Sequence, residues 1–288
     1  MKDGATSTTS SERSRGPWWI PGARDTMVLV ALAGYAAPFF WQLLTSLKPE
    51  GELLKLPPLL PTELTLVHYR VVLEQSTLPR ALLNSLGIAV LTTGLALVLG
   101  LPAAYALARL PVAGRRMLLL GIVASTAFPQ IATVSPLYLL VRELGLRDTW
   151  TALVLAHASF ALPLTIWLLA GFIREIPRAL EESASVDGAG LVATFRWVIG
   201  PVLAPGLASA ALLAFLFSWN EFLFAYTFTA TEASRTIPVA LALFPGVFEV
   251  PWGDIAAASM LASLPTVLIV VGLQRYLIQG LLAGAVKD

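Results

Sequence analysis

Residues 177–201 read Pro-Arg-Ala-Leu-Glu-Glu-Ser-Ala-Ser-Val-Asp-Gly-Ala-Gly-Leu-Val-Ala-Thr-Phe-Arg-Trp-Val-Ile-Gly-Pro, a charged, glycine-punctuated island between two long apolar stretches. Three acids, Glu181, Glu182 and Asp187, stand close together among small residues, which is the chemistry of docking to a protein surface. Pro177 suits a helical first turn, so the segment is read as a short helix to about Val186, broken at Asp187-Gly188. A second short helix is predicted over 191–199, ending before Pro201. Such a stub exposes Leu180, Ala184 and Val186 with nothing else in the chain large enough to cover them, so it calls for a partner. An amphipathic helix lying on the inner leaflet is the alternative. Three neighbouring acids fit an anionic membrane surface poorly.

A second set of candidates lies inside the apolar stretches. Phe128-Pro129-Gln130 interrupts the run 117–141, with Thr133, Ser135 and Pro136 soon after, so the helical ladder there must break at membrane depth. Such a break survives where protein or a water-filled path satisfies the freed carbonyls. Gln130 is therefore a substrate-path candidate, with a packing kink as the other reading. In the run 202–228, Ala208, Ala211, Ala214, Ser218, Glu221 and Ala225 recur at helical spacing as a small or polar stripe. Phe215, Trp219, Phe222 and Tyr226 occupy the other side. Ser218, Asn220 and Glu221 are path candidates, because an intramembrane carboxylate is costly unless it faces the bundle, a partner or water. The alternative is a Glu221 carboxylate reaching the interface beside an aromatic belt. His157 reads as a hydrogen-bonded packing histidine or as a transport residue.

Several chemistries are excluded. With no cysteine and two histidines far apart, His68 and His157, no metal site is expected. No G-x-x-x-x-G-K-[ST] phosphate loop occurs, so any nucleotide must bind to another chain. A net charge of +1 gives no reason to expect nucleic acid.

The elements that must position these residues are membrane helices. The chain is 57% hydrophobic and 13% charged, with a mean hydropathy of +0.76. Apolar runs at 26–47, 82–108, 117–141, 150–173, 202–228 and 255–280 are each long enough for a helix to cross ~30 Å of hydrocarbon. Lipid offers backbone groups no partner, and the runs lack strict alternation, so the fold is all-α with six spans rather than a barrel. Of the 19 Lys and Arg, twelve fall on one side of this arrangement and seven on the other, which puts both termini and residues 174–201 in the cytoplasm. Residues 1–25 are expected to be a disordered cytoplasmic segment, with Trp18 and Trp19 near the inner interface. The first span is too long for a signal-peptide core and should be retained. An extracytoplasmic loop over 48–80, rich in proline and mixed in charge, is read as an ordered, solvent-facing hairpin. It precedes a five-span core over 81–280 and a cytoplasmic tail over 281–288. Ala96, Gly100, Ala104 and Ala108 in the second span would admit another helix backbone, or reflect ordinary membrane composition.

The island resembles the "EAA" coupling loop of ATP-binding-cassette import permeases, with Glu182-Ser183-Ala184 at the EAA position, Asp187-Gly188-Ala189 following and Pro201 closing it. Ser183 stands where the family usually has alanine, a small-for-small change. Trp219-Asn220-Glu221-Phe222, Arg235-Thr236-Ile237-Pro238-Val239-Ala240 and the tail from Gln274 to Lys287 look like carbohydrate permeases of the type of the maltose transporter's second membrane subunit. Gly145 to Trp150, Phe244-Pro245-Gly246 and Pro251-Trp252-Gly253 are similar to permeases for trehalose and maltose. The resemblance covers about residue 26 to the end.

That resemblance implies a type I importer permease working by alternating access in the bacterial cell membrane. Its partners would be a paralogous permease, two copies of an ATPase subunit and an extracytoplasmic sugar-binding protein. The chain itself would be no enzyme and bind no cofactor; ATP and Mg would sit on the ATPase. Glu182, Ser183, Ala184, Asp187, Gly188 and Ala189 would couple to that ATPase. Phe244, Pro245, Gly246, Val247 and Phe248 place two aromatics around a Pro-Gly turn and would probe the binding protein. An ion-coupled secondary transporter is a rival reading, but only Glu221 could carry the ion and no inverted repeat is evident. An intramembrane protease lacks a nucleophile partner for His157 by sequence, and a non-sugar solute stays open within the importer class.

Overall fold

The computed structural model describes residues 22–53, 60–244 and 250–285. The expectations for residues 1–21, including Trp18 and Trp19, and for residues 245–248 lie outside the described residues. The described residues contain helices and no strand. Five helical stretches are long and apolar enough to cross a membrane: Asp25–Ser46, Leu78–Arg109, Trp150–Glu175, Leu191–Asn220 and Trp252–Tyr276. Two further apolar helices, α4 (Arg115–Thr126) and α5 (Gln130–Glu143), are inclined to each other by 89°, and the count reaches the expected six only where this bent pair is taken as one broken span. The break falls at Ala127-Phe128-Pro129, where the proline cannot extend the α4 ladder.

The bundle centres on α3 (Leu78–Arg109), α6 (Trp150–Glu175) and α9 (Gly200–Asn220), which pack on one another most extensively. Ala96, Gly100, Ala104 and Ala108 all lie buried on α3. Without bulky side chains in that row, van der Waals contact between backbones replaces the hydrophobic drive that lipid cannot supply. α12 (Trp252–Ala285) joins through α9 and carries α1 (Ala23–Ser46) on its outer side. α1 is apolar and exposed along most of its length, as expected of a helix facing lipid or another chain.

Four expectations are corrected. The loop after α1 is not a hairpin: α2 (Val67–Gln75) packs on α12 and α3 and buries His68 and Val72. His68 Nδ1 lies 2.6 Å from Asp254 Oδ1, and its Nε2 lies 3.0 Å from the Lys48 carbonyl. Gly253 permits this approach, since a Cβ there would sit 2.3 Å from the imidazole.

The fifth span is not continuous over 202–228. It stops at Asn220 and resumes as α10 (Leu223–Phe228). Phe215 and Trp219 are buried, stacked at 5.5 Å, while Phe222 and Tyr226 stack at 5.4 Å on the exposed surface. The aromatic side is thus divided between core and periphery.

The helix at 191–199 does not end before Pro201. α8 (Leu191–Thr194) passes through a π-turn at Phe195–Ile199 into α9, with Pro201 in the first turn of α9. The wider turn accommodates a proline that offers no N–H. Finally, α12 continues to Ala285, so most of the expected tail is helical.

Candidate functional site

α7 (Arg178–Val186) and α8 form the stub at one end of the bundle. Gly188, at φ +78, reverses the chain between them in a conformation that favours glycine. The Ala189 amide donates to the Ala184 carbonyl at 2.9 Å, and the Asp187 amide to the Ser183 carbonyl at 3.1 Å, closing the end of α7. Glu182, Ser183, Asp187 and Gly188 are exposed, and Ala189 is half-buried. Ala184 is buried, contrary to expectation, because it is folded under the turn that Ala189 makes. The exposed apolar edge consists instead of Val186, Leu191, Val192 and Trp197, with Leu180 partly open. Val186 is 88% exposed. An apolar edge this open on a two-helix stub needs a cover that the other described residues do not supply.

The stub is tied to the bundle through Glu181, one of the three acids of the island, by Arg109 and Tyr105, which the sequence analysis did not select. Arg109, in the last turn of α3, pairs with Glu181 of α7 at 2.6 Å and donates to the Ile176 carbonyl at 2.6 Å. The Tyr105 hydroxyl donates to Glu181 Oε2 at 2.9 Å, and its ring packs edge-on against Phe195. The stub is thus held to α3 by an ion pair and by the Tyr105 hydrogen bond to Glu181. The one sequence cue was an arginine ending an apolar run; nothing linked it to residue 181.

Within the bundle, four elements meet in a buried polar chain. Thr92 on α3 lies 3.4 Å from Ser218 on α9, and Ser218 Oγ lies 2.8 Å from His157 Nδ1 on α6. His157 Nε2 contacts Glu221 Oε2 at 3.1 Å. The Phe224 and Ala225 amides donate to the Glu221 carboxylate at 2.8 and 3.1 Å, so Glu221 caps α10 where the span breaks. Ser218, Glu221 and His157 are all buried. Their hydrogen-bonding capacity is committed inside the chain, and His157 is bonded on both nitrogens. The geometry assigns Glu221 to shaping the break, not to the interface.

Asn220, one residue earlier, is exposed and lines a cleft of about 460 Å³ between α9, α11 (Ile237–Ala242) and α12. Gln130 is half-buried at the start of α5, away from the polar chain. Phe244 is half-buried in a separate cleft of about 340 Å³, with Glu232, Arg235 and Asp254. The structure thus groups Ser218 with Glu221, leaves Asn220 facing out, and separates Gln130 and Phe244 from both.

The α5–α6 turn holds the segment 230–234. Asp148 takes a positive φ of 62 and accepts from the Ala230 and Thr231 amides at 2.9 and 3.1 Å, and from Ser234 Oγ at 2.6 Å. Burial pushes the Asp148 carboxyl up. The bonds from Ser234, Thr231 and Ala230 outweigh it and hold the group well below the usual carboxylate range.

Five membrane-length helices, a bent apolar pair, a capped break after α9 and an exposed stub tied to α3 define a multi-pass membrane protein. The family model for the binding-protein-dependent transport system inner membrane component matches residues 96–283, and the chain belongs to that family. It is 44% identical, over 95% of this chain and 98% of the relative, to the trehalose transport system permease protein SugB of Mycobacterium tuberculosis (strain CDC 1551 / Oshkosh). Identity is 38%, over 87% and 91%, to the trehalose/maltose transport system permease protein MalG of Thermococcus litoralis. The fold is shared with a crystal structure of a bacterial ABC transporter involved in the import of the acidic polysaccharide alginate, at a TM-score of 0.77, 21% identity and coverage of 88% and 95%. The chain is a multi-pass membrane transport subunit and not an enzyme.

Proposed function

We propose that this chain is the permease subunit of an ATP-driven, binding-protein-dependent importer for a disaccharide of the trehalose or maltose type. The observation that carries the reading is the 44% identity to a trehalose permease along almost the whole length of both chains. Both termini lie in the cytoplasm, with the stub on that side, and the chain pairs with a paralogous permease. Two ATPase subunits hold ATP and Mg, and an extracytoplasmic binding protein delivers the sugar to the face that carries Phe244. The exposed edge of Val186, Leu191 and Val192 seats in the ATPase, with Glu182, Ser183, Ala184, Asp187, Gly188 and Ala189 shaping the contact. Closure of the ATPase pair moves the stub, and Arg109 and Tyr105 pass that movement to α3. The path between the two permeases then opens outward. An ion-coupled mechanism finds no support in Glu221, whose carboxylate caps α10 and meets His157.

The test is purification of the tagged chain from its native membrane, followed by reconstitution of the complex with its binding protein. Co-purification of a chain with a phosphate loop, and ATP-dependent uptake of labelled trehalose or maltose, is the expected outcome. Uptake driven by an ion gradient without ATP would overturn it.

A further inference from the structure

His68 is buried and meets an oxygen at each ring nitrogen. Nδ1 lies 2.6 Å from Asp254 Oδ1, and Nε2 lies 3.0 Å from the Lys48 carbonyl oxygen. A carbonyl only accepts, so Nε2 must carry a proton. A neutral imidazole then has no N–H left for Asp254, and its Nδ1 lone pair would face a carboxylate oxygen out of reach of water. The contact therefore holds one further proton, either on the ring as imidazolium or on Asp254, which donates it to Nδ1. In both forms the closed pair carries one proton more than a neutral histidine beside an ionised aspartate. His157 differs: the Ser218 hydroxyl at its Nδ1 can donate as well as accept, so a neutral ring satisfies both of its partners.

The contact joins three elements at the end of the bundle opposite the stub. Lys48 follows α1, His68 lies in the first turn of α2, and Asp254 lies in the first turn of α12. Ser46, at the end of α1, adds a 2.8 Å bond to the Tyr69 hydroxyl of α2. The charged groups around the contact are engaged elsewhere or turned to solvent. The Lys48 ammonium lies 5.2 Å from the centroid of the Trp41 ring. Arg70 and Glu74 of α2 pair with each other at 3.9 Å on the surface, and Arg80 of α3 is exposed. Glu232 and Arg235 line the cleft that Asp254 borders, and among the described residues neither forms an ion pair with it. None of them supplies the missing donor, so the proton comes from water.

We propose that His68, Asp254 and the Lys48 carbonyl form a proton-held latch that fastens the end of the first span and α2 to the last span, and that a rise in pH on that side releases it. Above about 6.5, the ordinary imidazole value, the opened pair holds one proton fewer than the closed pair, so closure weakens by up to about tenfold per pH unit as the proton passes to water. Between about 4 and 6.5 both forms hold the same number, and closure is constant. The latch does not depend on which solute the chain carries.

The test is amide hydrogen exchange of the complete reconstituted complex, read by mass over α2 from about pH 5 to 9 and corrected for the intrinsic base catalysis of exchange. Protection of residues 70–75 should be level up to about pH 6.5 and then fall by up to about tenfold per pH unit. In Asp254→Asn the side-chain amide can donate to Nδ1 while Nε2 donates to the Lys48 carbonyl, so a neutral latch closes and protection should stay level across the range. Should that variant fail to assemble, His68→Gln replaces it; with no ring to titrate, its protection should be level too. Level protection in the unaltered chain would overturn the proposal. A fall of the same slope in either variant would also overturn it, because the titrating group would then lie elsewhere.

Discussion

Arg109 of α3 and Glu181 of α7 form a 2.6 Å ion pair, with side chains 7% and 18% exposed, that fixes the stub to the second span. Removing one partner of a shielded pair strands the other, at a cost of about 3 kcal/mol. Arg109→Ala should lower the unfolding midpoint of the purified complex and weaken ATPase retention. The charge-reversed double variant Arg109→Glu/Glu181→Arg should recover part of both, read by thermal melting and pull-down. A purely surface role for the pair predicts no change in either measurement.

Gly188 holds φ +78, which a β-branched residue resists by about 1–2 kcal/mol. Gly188→Val should leave the protein in the membrane but detach or uncouple its ATPase. Membrane yield and binding-protein-stimulated ATP hydrolysis together check this, with hydrolysis falling while yield holds.

His157 bridges Ser218 and Glu221 at 2.8 and 3.1 Å in a site closed to solvent. His157→Ala leaves two buried polar groups without that partner and a void, at about 2–4 kcal/mol. Reduced assembly of the complex is expected, with His157→Gln less damaging because it can still donate. Comparing the amounts of intact complex in the two variants reads the difference.

Asp148 gives a pH prediction with a definite sign. Burial raises its carboxyl, but the bonds from Ser234, Thr231 and Ala230 dominate, so the folded group titrates below its unfolded value of about 3.9. Its contribution is complete above that value and is lost as pH falls through the lower, folded one. Amide exchange protection at Ala230 and Thr231 should therefore be flat from about pH 8 to 5, where the carboxylate is fully ionised. It should be weaker throughout in Asp148→Asn, which keeps one acceptor oxygen and loses the charge.

Parts of this architecture were legible because they rest on local chemistry. Pro129 announces the break in the third span, Gly188 the reversal of the stub, and the row from Ala96 to Ala108 the close packing of α3. The break in the fifth span was not legible. No proline or glycine marks residues 218–223; the helix ends there because the Glu221 carboxylate takes the amides of Phe224 and Ala225 and meets a histidine 64 residues away. The burial of Ala184 was hidden likewise, since it follows from the turn to Ala189 and not from the helical face. Pairings such as Arg109 with Glu181 lie outside any periodicity, because they form between elements whose relative placement only the fold decides.

The claim that the stub docks an ATPase is tested most directly at Val186, 88% exposed on a chain with no cysteine of its own. Val186→Cys, modified with a short thiol-reactive photo-cross-linker in native membranes and irradiated, should join this chain to a subunit carrying a phosphate-loop sequence, and ATP should change the yield. Cross-linking only to lipid or to other copies of this chain, while ATP-driven uptake persists, would contradict the account.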